Sequence, residues 1–508
     1  MAMKEVELTV LQSAAPRLVR RRSAGGMALH HWQEVGKPTV IQVVMELAGD
    51  GISTEALTQL VDVRLLKRFP RFRGYVSENA RHWVVPEAVD PSRYVSDVAL
   101  EGSDQRTALL ALLGAEFRKP LPARCSWEVR RVTCAGRIAL VWRIAHTAAD
   151  GVILTQLLTH VLCDAPAQAA SAPAAPATSS TAEASGSGNA SVARPQRSGM
   201  RASCLERVWA FVCGLLKTAF LLCWPADRRT AISLGPSAWR RRQRQRRKQT
   251  DADEGASIEC TQVVLSRAVG VAALKAAARQ HDCTINDVVL AALGAGLHQH
   301  LAQVAIGSDG NATMAAAALA RLEHLTLTAT VVVNPRQQAF VMSAANAQKL
   351  LESYAAMSTY GCDVALGFVP LPCGGALAAD ARLAAVRRVT RQLKLSPEVA
   401  LSRWLAIALN FLLGVRAVTI LFEHVLAKTS TYVSNVVGPT QPAAFGGVTI
   451  DALYFGSAPL DWGLGFSFFS YKGELTVCCV SDEATVPAPQ AIVDHVHEAL
   501  EAYCASVR

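Results

Sequence analysis

A low-complexity segment decides how the rest of the chain can fold. Residues 164 to about 200 consist mainly of Ala, Ser, Pro and Gly and hold almost no large apolar side chain. Such a segment cannot bury enough apolar surface to offset its ordering entropy, so we expect a disordered linker. The chain therefore divides into an N-terminal unit, residues 1–163, and a C-terminal unit, residues 258–508, joined by residues 164–257.

Composition narrows the class of protein. The 508 residues are 51% hydrophobic and 18% charged, which leaves apolar material for a cavity or a membrane surface beyond the cores. The net charge is +10, but Arg240–Lys248 alone carries seven positive charges and the remainder sums to about +3. We therefore expect no nucleic-acid partner. The 13 cysteines lack metal spacing, which predicts reduced thiols in a cytosol-facing protein without a metal site.

Strand and helix patterns intermix in the N-terminal unit. Val40–Leu47 is rich in β-formers, and Gln105–Lys119 has the pattern of a helix. Ser126–Val132 and Arg137–Ala145 predict two strands of a hairpin that turns at Ala135-Gly136. The mixture indicates an α/β (α+β) fold.

The C-terminal unit has a similar mixture. Cys260–Leu265 and Leu325–Asn334 predict strands, Thr284–Asp287 caps a helix, and Lys472-Gly473 predicts a hairpin turn. Leu401–Leu426 is a long apolar stretch, either a helix pair or a kinked helix. We expect it to be buried and to line a cavity, with a membrane segment as the alternative.

Another apolar stretch follows the low-complexity segment. Leu205–Trp224 as a helix would be about 30 Å long, enough to cross a bilayer, although Lys217 near its centre argues against a simple span. A helix lying in the membrane interface is the favoured interpretation, and a helix packed on the protein is the other. The basic run at 240–248 would sit against anionic head groups or form a solvated loop.

The candidate site is the turn after the hairpin. Arg137–Ala145 delivers His146 into the sequence His-Thr-Ala-Ala-Asp-Gly, with Asp150 four residues later and Gly151 after it. A histidine at the end of a buried strand, on a constrained backbone beside a cleft, is how folds present a general base. The alternative is a hydrogen-bonded core histidine.

Several motifs together resemble the bacterial-type wax ester synthase/diacylglycerol acyltransferase family of the acyl-CoA-dependent acyltransferase superfamily. They occur in family order along most of the chain: RFPRFRGYV followed by Trp83, Lys119-Pro120-Leu121 with Trp127, HTAADG, TINDVVLAAL, SNVVGP and SYKGELTV. One departure is Ala145, which stands where the family pattern HHxxxDG has its first histidine. The resemblance implies a two-domain fold like chloramphenicol acetyltransferase, with mixed sheets and an active-site channel between the domains.

The resemblance also implies a reaction. The hydroxyl of a fatty alcohol or of diacylglycerol would attack the thioester of a long-chain acyl-CoA, giving wax ester or triacylglycerol. His146 Nε2 would remove the hydroxyl proton and later return it to the thiolate. No cofactor is implied, since acyl-CoA is a co-substrate. The expected location is a membrane or lipid-droplet surface, at the endoplasmic reticulum or on a droplet, facing the cytosol.

Three other residues, Asp150, Gly151 and Asn286, are expected to contribute to the site. Asp150 is expected to brace the loop by pairing with an arginine, and Arg336 and Arg143 are the candidates. Gly151 is expected to serve through its backbone, by a positive φ or by letting substrate approach. Asn286 is either a donor to the oxyanion or the N-cap of its own helix.

Two motifs near the C-terminus are expected to form turns. Ser434 and Asn435 are expected to hold the Gly438-Pro439 turn, and Asp461–Gly465 to form a turn with two flexible glycines.

Two alternative functions stay open. One is that of a non-catalytic homologue that still binds acyl-CoA but lost its activity when Ala145 replaced the first histidine of the motif. The other is an acyltransferase that acts on a non-lipid hydroxyl or amine.

Overall fold

The structure, a computed structural model, describes most of the chain outside the linker. The described residues are 17–19, 24–34, 39–49, 51–77, 82–102, 104–117, 119–164, 203–219, 226–232, 261–307, 312–333, 344–359, 361–363, 365–459 and 462–506. The disorder predicted for 165–200, the basic run at 240–248, Arg336 and Asp461 lie outside these residues.

The strands and helices are numbered in chain order. The strands are β1 (Arg17–Val19), β2 (Val40–Leu47), β3 (Tyr75–Val76), β4 (Trp83–Val85), β5 (Val95–Leu100), β6 (Trp127–Cys134), β7 (Arg137–Ala145), β8 (Thr261–Leu265), β9 (Val269–Gly270), β10 (Thr326–Val333), β11 (Ala365–Pro372), β12 (Thr431–Val437), β13 (Ala444–Phe445), β14 (Val448–Ser457), β15 (Leu464–Tyr471) and β16 (Glu474–Asp482). The helices are α1 (Ala24–Glu34), α2 (Thr54–Val61), α3 (Pro70–Arg73), α4 (Gln105–Glu116), α5 (Gly151–Leu157), α6 (Cys204–Ala219), α7 (Val271–Gln280), α8 (Ile285–Gly307), α9 (Ala312–Leu322), α10 (Ala344–Ala355), α11 (Ala379–Leu395), α12 (Glu398–Leu413), α13 (Val415–Leu426) and α14 (Pro489–Ala505).

Two mixed sheets form the framework. The first has the strand order β13-β14-β2-β7-β6-β5, and the second has the order β11-β10-β12-β15-β16-β8, with β9 paired to β16. Most neighbours are antiparallel, but β5–β6, β10–β12 and β12–β15 are parallel. A small third sheet has the order β1-β4-β3. Both the mixed sheets and the α/β (α+β) class are as expected.

The C-terminal half of the chain also completes the first sheet. Strand β14 pairs antiparallel with β2, although more than 400 residues of sequence precede it. The division at residue 258 assigned this segment to the C-terminal unit. Side chains from both sheets then share a core cluster that includes Val44, Tyr454 and Val480. The two sheets are therefore joined by a strand exchange as well as by packing.

Local sequence explains both predicted hairpins. Ala135 and Gly136, between β6 and β7, have φ of 48° and 76°. Lys472 and Gly473, between β15 and β16, have φ of 42° and 83°. Two successive residues with positive φ are the mark of a type I′ turn, whose twist matches the twist of the flanking strands. Both turns are confirmed, and the first one sets the register that delivers His146.

The apolar stretch at 401–426 is a helix pair, but it is not the buried element that we expected. Helices α12 and α13 meet at Gly414, which has φ of 82°. The side chains of Phe411, Leu412 and Leu413 at the junction are among the most exposed apolar groups of the described chain. The prediction failed because the apolar residues surround the end of α12 and so cannot all face a core. Within the described residues, one helix is long and apolar enough to span a membrane, α8, and half of its apolar window is buried in the C-terminal core.

Candidate active site

Strand β7 presents different chemistry on its two faces. Trp142, Ile144 and His146 line an apolar cavity. Ala145 and Thr147 line a separate, open cleft. The difference follows from the strand geometry, because successive side chains point to opposite sides of a sheet. His146 directly follows the buried strand β7, and its side chain extends into the cavity.

The cavity lies between the two sheets. Its first wall comes from β2, β7 and α5, and its second wall includes Tyr432, Ser434 and Val436 of β12 and Phe469 of β15. Its volume is about 80 Å³, which is room for only a few water molecules. The channel expected between the domains is thus present as a narrow apolar cavity.

Two π-helical turns form part of this wall. Asp62–Leu66 follows α2 and supplies Leu65, and Leu158–Leu162 follows α5 and supplies Leu158 and Leu162. Such turns break the regular hydrogen-bond ladder of a helix and occur often at functional sites. They mark the part of the cavity wall where the helical backbone is least regular.

The imidazole of His146 is held on one side. Cys362 Sγ lies 3.5 Å from His146 Nδ1. His146 is partly exposed at the cavity wall, whereas Cys362 is buried and is not in a disulfide. Because Nδ1 is occupied, Nε2 is the nitrogen left for a group in the cavity.

Burial also sets the charge state of His146. Its pKa is lowered from the usual value, mainly because the protein excludes the water that would solvate an imidazolium. A hydrogen bond to its own backbone and the negative charge of Asp150 oppose this shift. The imidazole is therefore neutral at pH 7, the state in which it can accept a proton.

Asp150 braces the turn through backbone groups. Its carboxylate is fully buried, and Oδ1 accepts the backbone N–H of Ile153 at 3.1 Å as the N-cap of α5. Oδ2 accepts the N–H of Asp363 at 3.0 Å. The N–H of Asp150 donates in turn to the carbonyl of Gly361 at 3.0 Å. The backbone of the turn that follows His146 is thus fixed by a segment more than 200 residues away in sequence.

We call this element the bracing segment and define it as Thr359 and Gly361–Asp363. Arg71 is buried beneath it and donates from Nη2 to the carbonyl of Thr359 at 2.7 Å. Tyr354, just before it, donates from its hydroxyl to the carbonyl of Ala148 at 2.9 Å. Arg403 of α12 donates from Nε and Nη2 to the two carboxylate oxygens of Asp363, at 3.0 and 3.2 Å. Arg71 and Arg403 therefore hold the segment itself, and Tyr354 holds the turn beside it.

Sequence reasoning missed the bracing segment. Its residues form no motif with His146, since Cys362 lies 216 positions away. One signal was available, because Arg403 interrupts an apolar helix and a partly buried cation needs an anionic partner. Asp363 is that partner. Arg71 lies within the arginine-rich stretch RFPRFRGYV that carried part of the resemblance.

Arg143 does not pair with Asp150. Its buried guanidinium forms ion pairs with Glu128 and Glu116 and also donates to the carbonyl of Glu116 at 2.8 Å. The geometry of β7 explains the error, because Arg143 and His146 are three positions apart and face opposite sides of the sheet. Burial lowers the pKa of Arg143, and the two carboxylates oppose this shift.

Gly151 does not have the first of the two roles expected for it, a backbone conformation with positive φ. It does not have positive φ and is the first residue of α5. It lines the cavity, and a Cβ there would meet Val436 Cγ2 at 3.4 Å, an ordinary contact. Of the two predicted roles, a positive φ is wrong, and close approach to the cavity stays a prediction.

Asn286 is not the N-cap of its helix. Thr284 caps α8, because its N–H and hydroxyl both donate to Asp287 Oδ2 at 2.8 Å. Asn286 Oδ1 instead accepts from Asn435 Nδ2 at 3.3 Å. Among the described residues that line the cavity, Asn286 is not included. The structure therefore does not bring it to His146, and its role at the oxyanion stays a prediction.

The SNVVGP strand faces the site rather than its own turn. Ser434 lines the cavity and Asn435 contacts Asn286, whereas the Gly438 N–H donates to the carbonyl of Ser470 at 2.9 Å. The expectation that Ser434 and Asn435 hold the turn is wrong, because alternation along β12 points them to the two faces of the sheet.

The two glycines of the Asp461–Gly465 motif differ. Gly463 has φ of 73° and makes a turn. Gly465 lies inside β15 opposite Tyr432, and a Cβ on it would overlap the tyrosine ring. Gly465 is therefore needed for close packing and is not a flexible hinge.

Ala145 faces away from the cavity. It is buried and packs with Val40 and Leu121 in a small cluster, at the edge of a cleft of about 710 Å³ that also contains Tyr75 and Arg124. The side chain at this position thus points to the opposite side of β7 from His146. Its identity as alanine removes no group from the cavity wall.

Solved structures share this architecture. A wax ester synthase/diacylglycerol acyltransferase from Marinobacter aquaeolei VT8 superposes with a TM-score of 0.57, covering 96% of this chain and 100% of the other at 16% identity. A trichothecene 15-O-acetyltransferase, TRI3, from Fusarium sporotrichioides superposes with a TM-score of 0.56, covering 96% and 95% at 10% identity. This chain therefore shares the fold of these two acyltransferases.

Family comparison makes the assignment specific. The wax ester synthase/diacylglycerol acyltransferase catalytic domain matches residues 35–289, and the C-terminal domain of the same family matches residues 360–503. The chain belongs to the wax ester synthase/diacylglycerol acyltransferase family. Wax ester synthase/diacylglycerol acyltransferase 8 from Arabidopsis thaliana is 34% identical over 89 residues, which is 18% of this chain and 18% of that relative.

Proposed function

We propose that this chain is an acyl-CoA-dependent O-acyltransferase that moves a long-chain acyl group to a fatty alcohol or diacylglycerol. The observation that carries the proposal is His146, a neutral imidazole on the wall of an apolar cavity, with Cys362 against Nδ1 and with Nε2 left for the cavity. The names of the Marinobacter and Arabidopsis relatives support the same pair of products, wax ester and triacylglycerol.

The reaction follows from these groups. An alcohol is a weak nucleophile at pH 7, so Nε2 of His146 accepts its proton as the oxygen–carbon bond forms at the thioester. The tetrahedral intermediate then expels the CoA thiolate as the carbon–sulfur bond breaks. The imidazolium returns the proton to that sulfur, which leaves the ester, CoA thiol and neutral His146. No covalent acyl-enzyme is required.

Ser434 is the group that we assign to the oxyanion. Four hydroxyls line the cavity, and three are engaged: Thr155 donates to Gly151, while Tyr432 and Ser457 bond to each other. The Ser434 hydroxyl has no partner in the described part of the chain. A hydroxyl in an apolar, water-poor cavity donates strongly to a developing negative charge.

The acceptor class is tested by competition. Purified protein is given labelled palmitoyl-CoA with hexadecanol and diacylglycerol together, and the neutral lipids are separated by thin-layer chromatography. We expect labelled wax ester, triacylglycerol or both. Tight acyl-CoA binding without product would instead support a non-catalytic homologue, and product only with a water-soluble hydroxyl or amine would support the other rival. The apolar lining of the cavity favours a lipid acceptor.

The proposed location is a membrane or lipid-droplet surface, at the endoplasmic reticulum or on a droplet, facing the cytosol. The exposed apolar side chains of α6 and the sequence of the basic run at 240–248 support it. Cell fractionation of the full chain tests it, since recovery entirely in the soluble fraction would contradict the proposal.

A further inference from the structure

The open cleft behind the His146 turn takes no part in the proton transfer assigned to that residue. Its volume is about 710 Å³, and Ala145 and Thr147 are among the residues that line it. Sites for small molecules usually have volumes of about 300–1,000 Å³. His146 lies between these two residues in sequence and lines the apolar cavity instead, so only the end of β7 and its turn separate the two spaces. A molecule in the cleft would therefore lie directly beside the residue proposed as the base.

One wall of the cleft is the loop Leu121–Ser126, which leads into β6. The loop contains a turn of its own, because the N–H of Cys125 donates to the carbonyl of Pro122 at 3.0 Å. The N–H of Ala145 donates to the carbonyl of Ser126 at 2.9 Å. The loop is thus tied to the end of the strand that delivers His146, and its side chains keep a fixed position relative to that residue.

The buried part of the cleft lining contains a hydroxyl without a partner. Ser126 is 5% exposed, and its Oγ forms no hydrogen bond within the described part of the chain. A buried hydroxyl without a partner costs free energy, so one that lines a cleft is a candidate for contact with a ligand. Thr147 is 4% exposed and brings a second buried hydroxyl to the same cleft. The cleft therefore offers hydrogen-bonding groups at its buried side.

The exposed part of the lining is positively charged. Arg124 is exposed, and its guanidinium lies over the ring of Tyr75, 5.8 Å from the ring centroid. The backbone of Arg124 has φ of 58°, a conformation that is uncommon for residues other than glycine and that is often kept where function requires it. His30 also lines the cleft, and none of the described residues of its lining is Asp or Glu. This charge pattern favours an anionic ligand, and the planar guanidinium is well suited to phosphate.

We propose that this cleft binds the CoA part of the donor, with Arg124 against its phosphates and with Ser126 and Thr147 hydrogen-bonded to its amide-bearing arm. CoA has phosphates at one end, amides along its arm and the sulfur at the other end. It therefore matches a cleft whose exposed part is cationic and whose buried part offers hydroxyls beside the His146 turn. The inference rests on the proposed function, because the thioester of this CoA is the group that reacts at His146. The apolar cavity is then left for the acyl chain and the acceptor.

The proposal is tested by calorimetric titration of the full chain with CoA itself, which carries no acyl chain. Arg124→Gln should weaken CoA binding at least tenfold and make it less dependent on salt, because an ion pair to phosphate is lost. Ser126→Ala should weaken CoA binding about threefold to tenfold, because one hydrogen bond to the ligand is lost. The melting temperature of the free Ser126→Ala protein should equal or exceed that of the wild type, since the deleted hydroxyl has no partner within the described chain. A purely structural role of Ser126 would lower it.

A matched control separates the cleft from a general effect of charge. Arg137 is also an exposed arginine, but it lies at the opposite end of β7 and outside the cleft lining. Arg137→Gln should therefore bind CoA like the wild type. Wild-type affinity in both Arg124→Gln and Ser126→Ala would overturn the proposal. So would an equal loss of affinity in Arg137→Gln, or a wild type that does not bind CoA.

The CoA cleft and the proposed function fail separately. In the acyl-transfer assay, Arg124→Gln should raise KM for acyl-CoA at least tenfold and leave kcat within about twofold of the wild type, because it acts on binding of the donor. CoA binding that both variants weaken, with no ester formed by any protein, would refute the function and leave the cleft standing. Ester formation with the same KM for acyl-CoA in every protein would do the opposite.

Discussion

Gly361 is the position where one methyl group tests the bracing segment. Its φ lies outside the left-handed region, so the backbone itself would accept alanine. The surroundings would not, because an added Cβ would lie 2.9 Å from the carbonyl carbon of Ala148 and closer still to its oxygen and to a guanidinium nitrogen of Arg71. Ordinary contact begins near 3.4 Å, so the segment and the turn must separate by at least about half an ångström.

That displacement is enough to disturb catalysis. It acts on the hydrogen bond from Asp150 N–H to the carbonyl of Gly361 and on the one from Asp363 N–H to Asp150 Oδ2. Catalytic groups tolerate errors of about 0.5 Å, and a misplacement of about 1 Å costs about a hundredfold in rate. We therefore expect Gly361→Ala to lower kcat by about tenfold to a hundredfold. The melting temperature should fall by a few degrees, since overpacking costs about 1–3 kcal/mol.

The assay compares kcat, KM and Tm with a matched glycine. Gly270 has φ of −62° and no neighbouring atom within 4 Å of an added Cβ, so Gly270→Ala should leave kcat and KM unchanged. Rates are measured well below both melting temperatures, so that unfolding does not contribute. A Gly361→Ala protein with wild-type kcat would refute the claim that this segment positions the His146 turn.

Three further substitutions probe the same network. Arg403→Gln removes the bidentate partner of Asp363 and should lower kcat severalfold. It should cost only about 1 kcal/mol of unfolding free energy, because the ion pair is partly exposed. Arg403→Lys should recover part of the rate. Cys362→Ala frees Nδ1 of His146 and should lower kcat about tenfold with KM unchanged, whereas an unchanged kcat would show that the thiol does not orient the ring. Ala145→His should not raise the rate, because the new ring would lie on the far face of β7, away from the cavity that His146 lines. A large gain in rate would contradict that placement.

Local patterns predicted the turn that carries His146. The type I′ hairpin at Ala135-Gly136 fixes the register of β7, and the short distance from there to His146 leaves little freedom in where the histidine emerges. The same alternation could have shown that Arg143 faces away from Asp150. The N-cap role of Asp150 could also have been predicted, since Asp before an apolar helix is a common cap. Both errors arose because partners were assigned without regard to the two-residue period of a strand and the 3.6-residue period of a helix.

Long-range pairing could not be predicted in the same way. The bracing segment meets the turn across more than 200 residues, and no periodicity relates Cys362 to His146. The entry of β14 into the first sheet is equally non-local, because its alternation fits either sheet. The exposure of Phe411–Leu413 was missed for a different reason. Apolar composition predicts burial in a protein and burial in lipid equally well, and only the fold shows which residues face outward.

The central claim is that His146 removes the proton from the acceptor. The most direct test is the pH dependence of acyl transfer in a single turnover, with acyl-CoA already bound, in the wild type and in His146→Ala. The wild-type rate should be level near neutral pH and fall as the pH drops through the lowered pKa of His146, because protonation removes the base. The variant should bind acyl-CoA normally, react about 10² to 10⁴ times more slowly and lose this pH dependence. A variant that keeps the wild-type rate and pH profile would contradict the account.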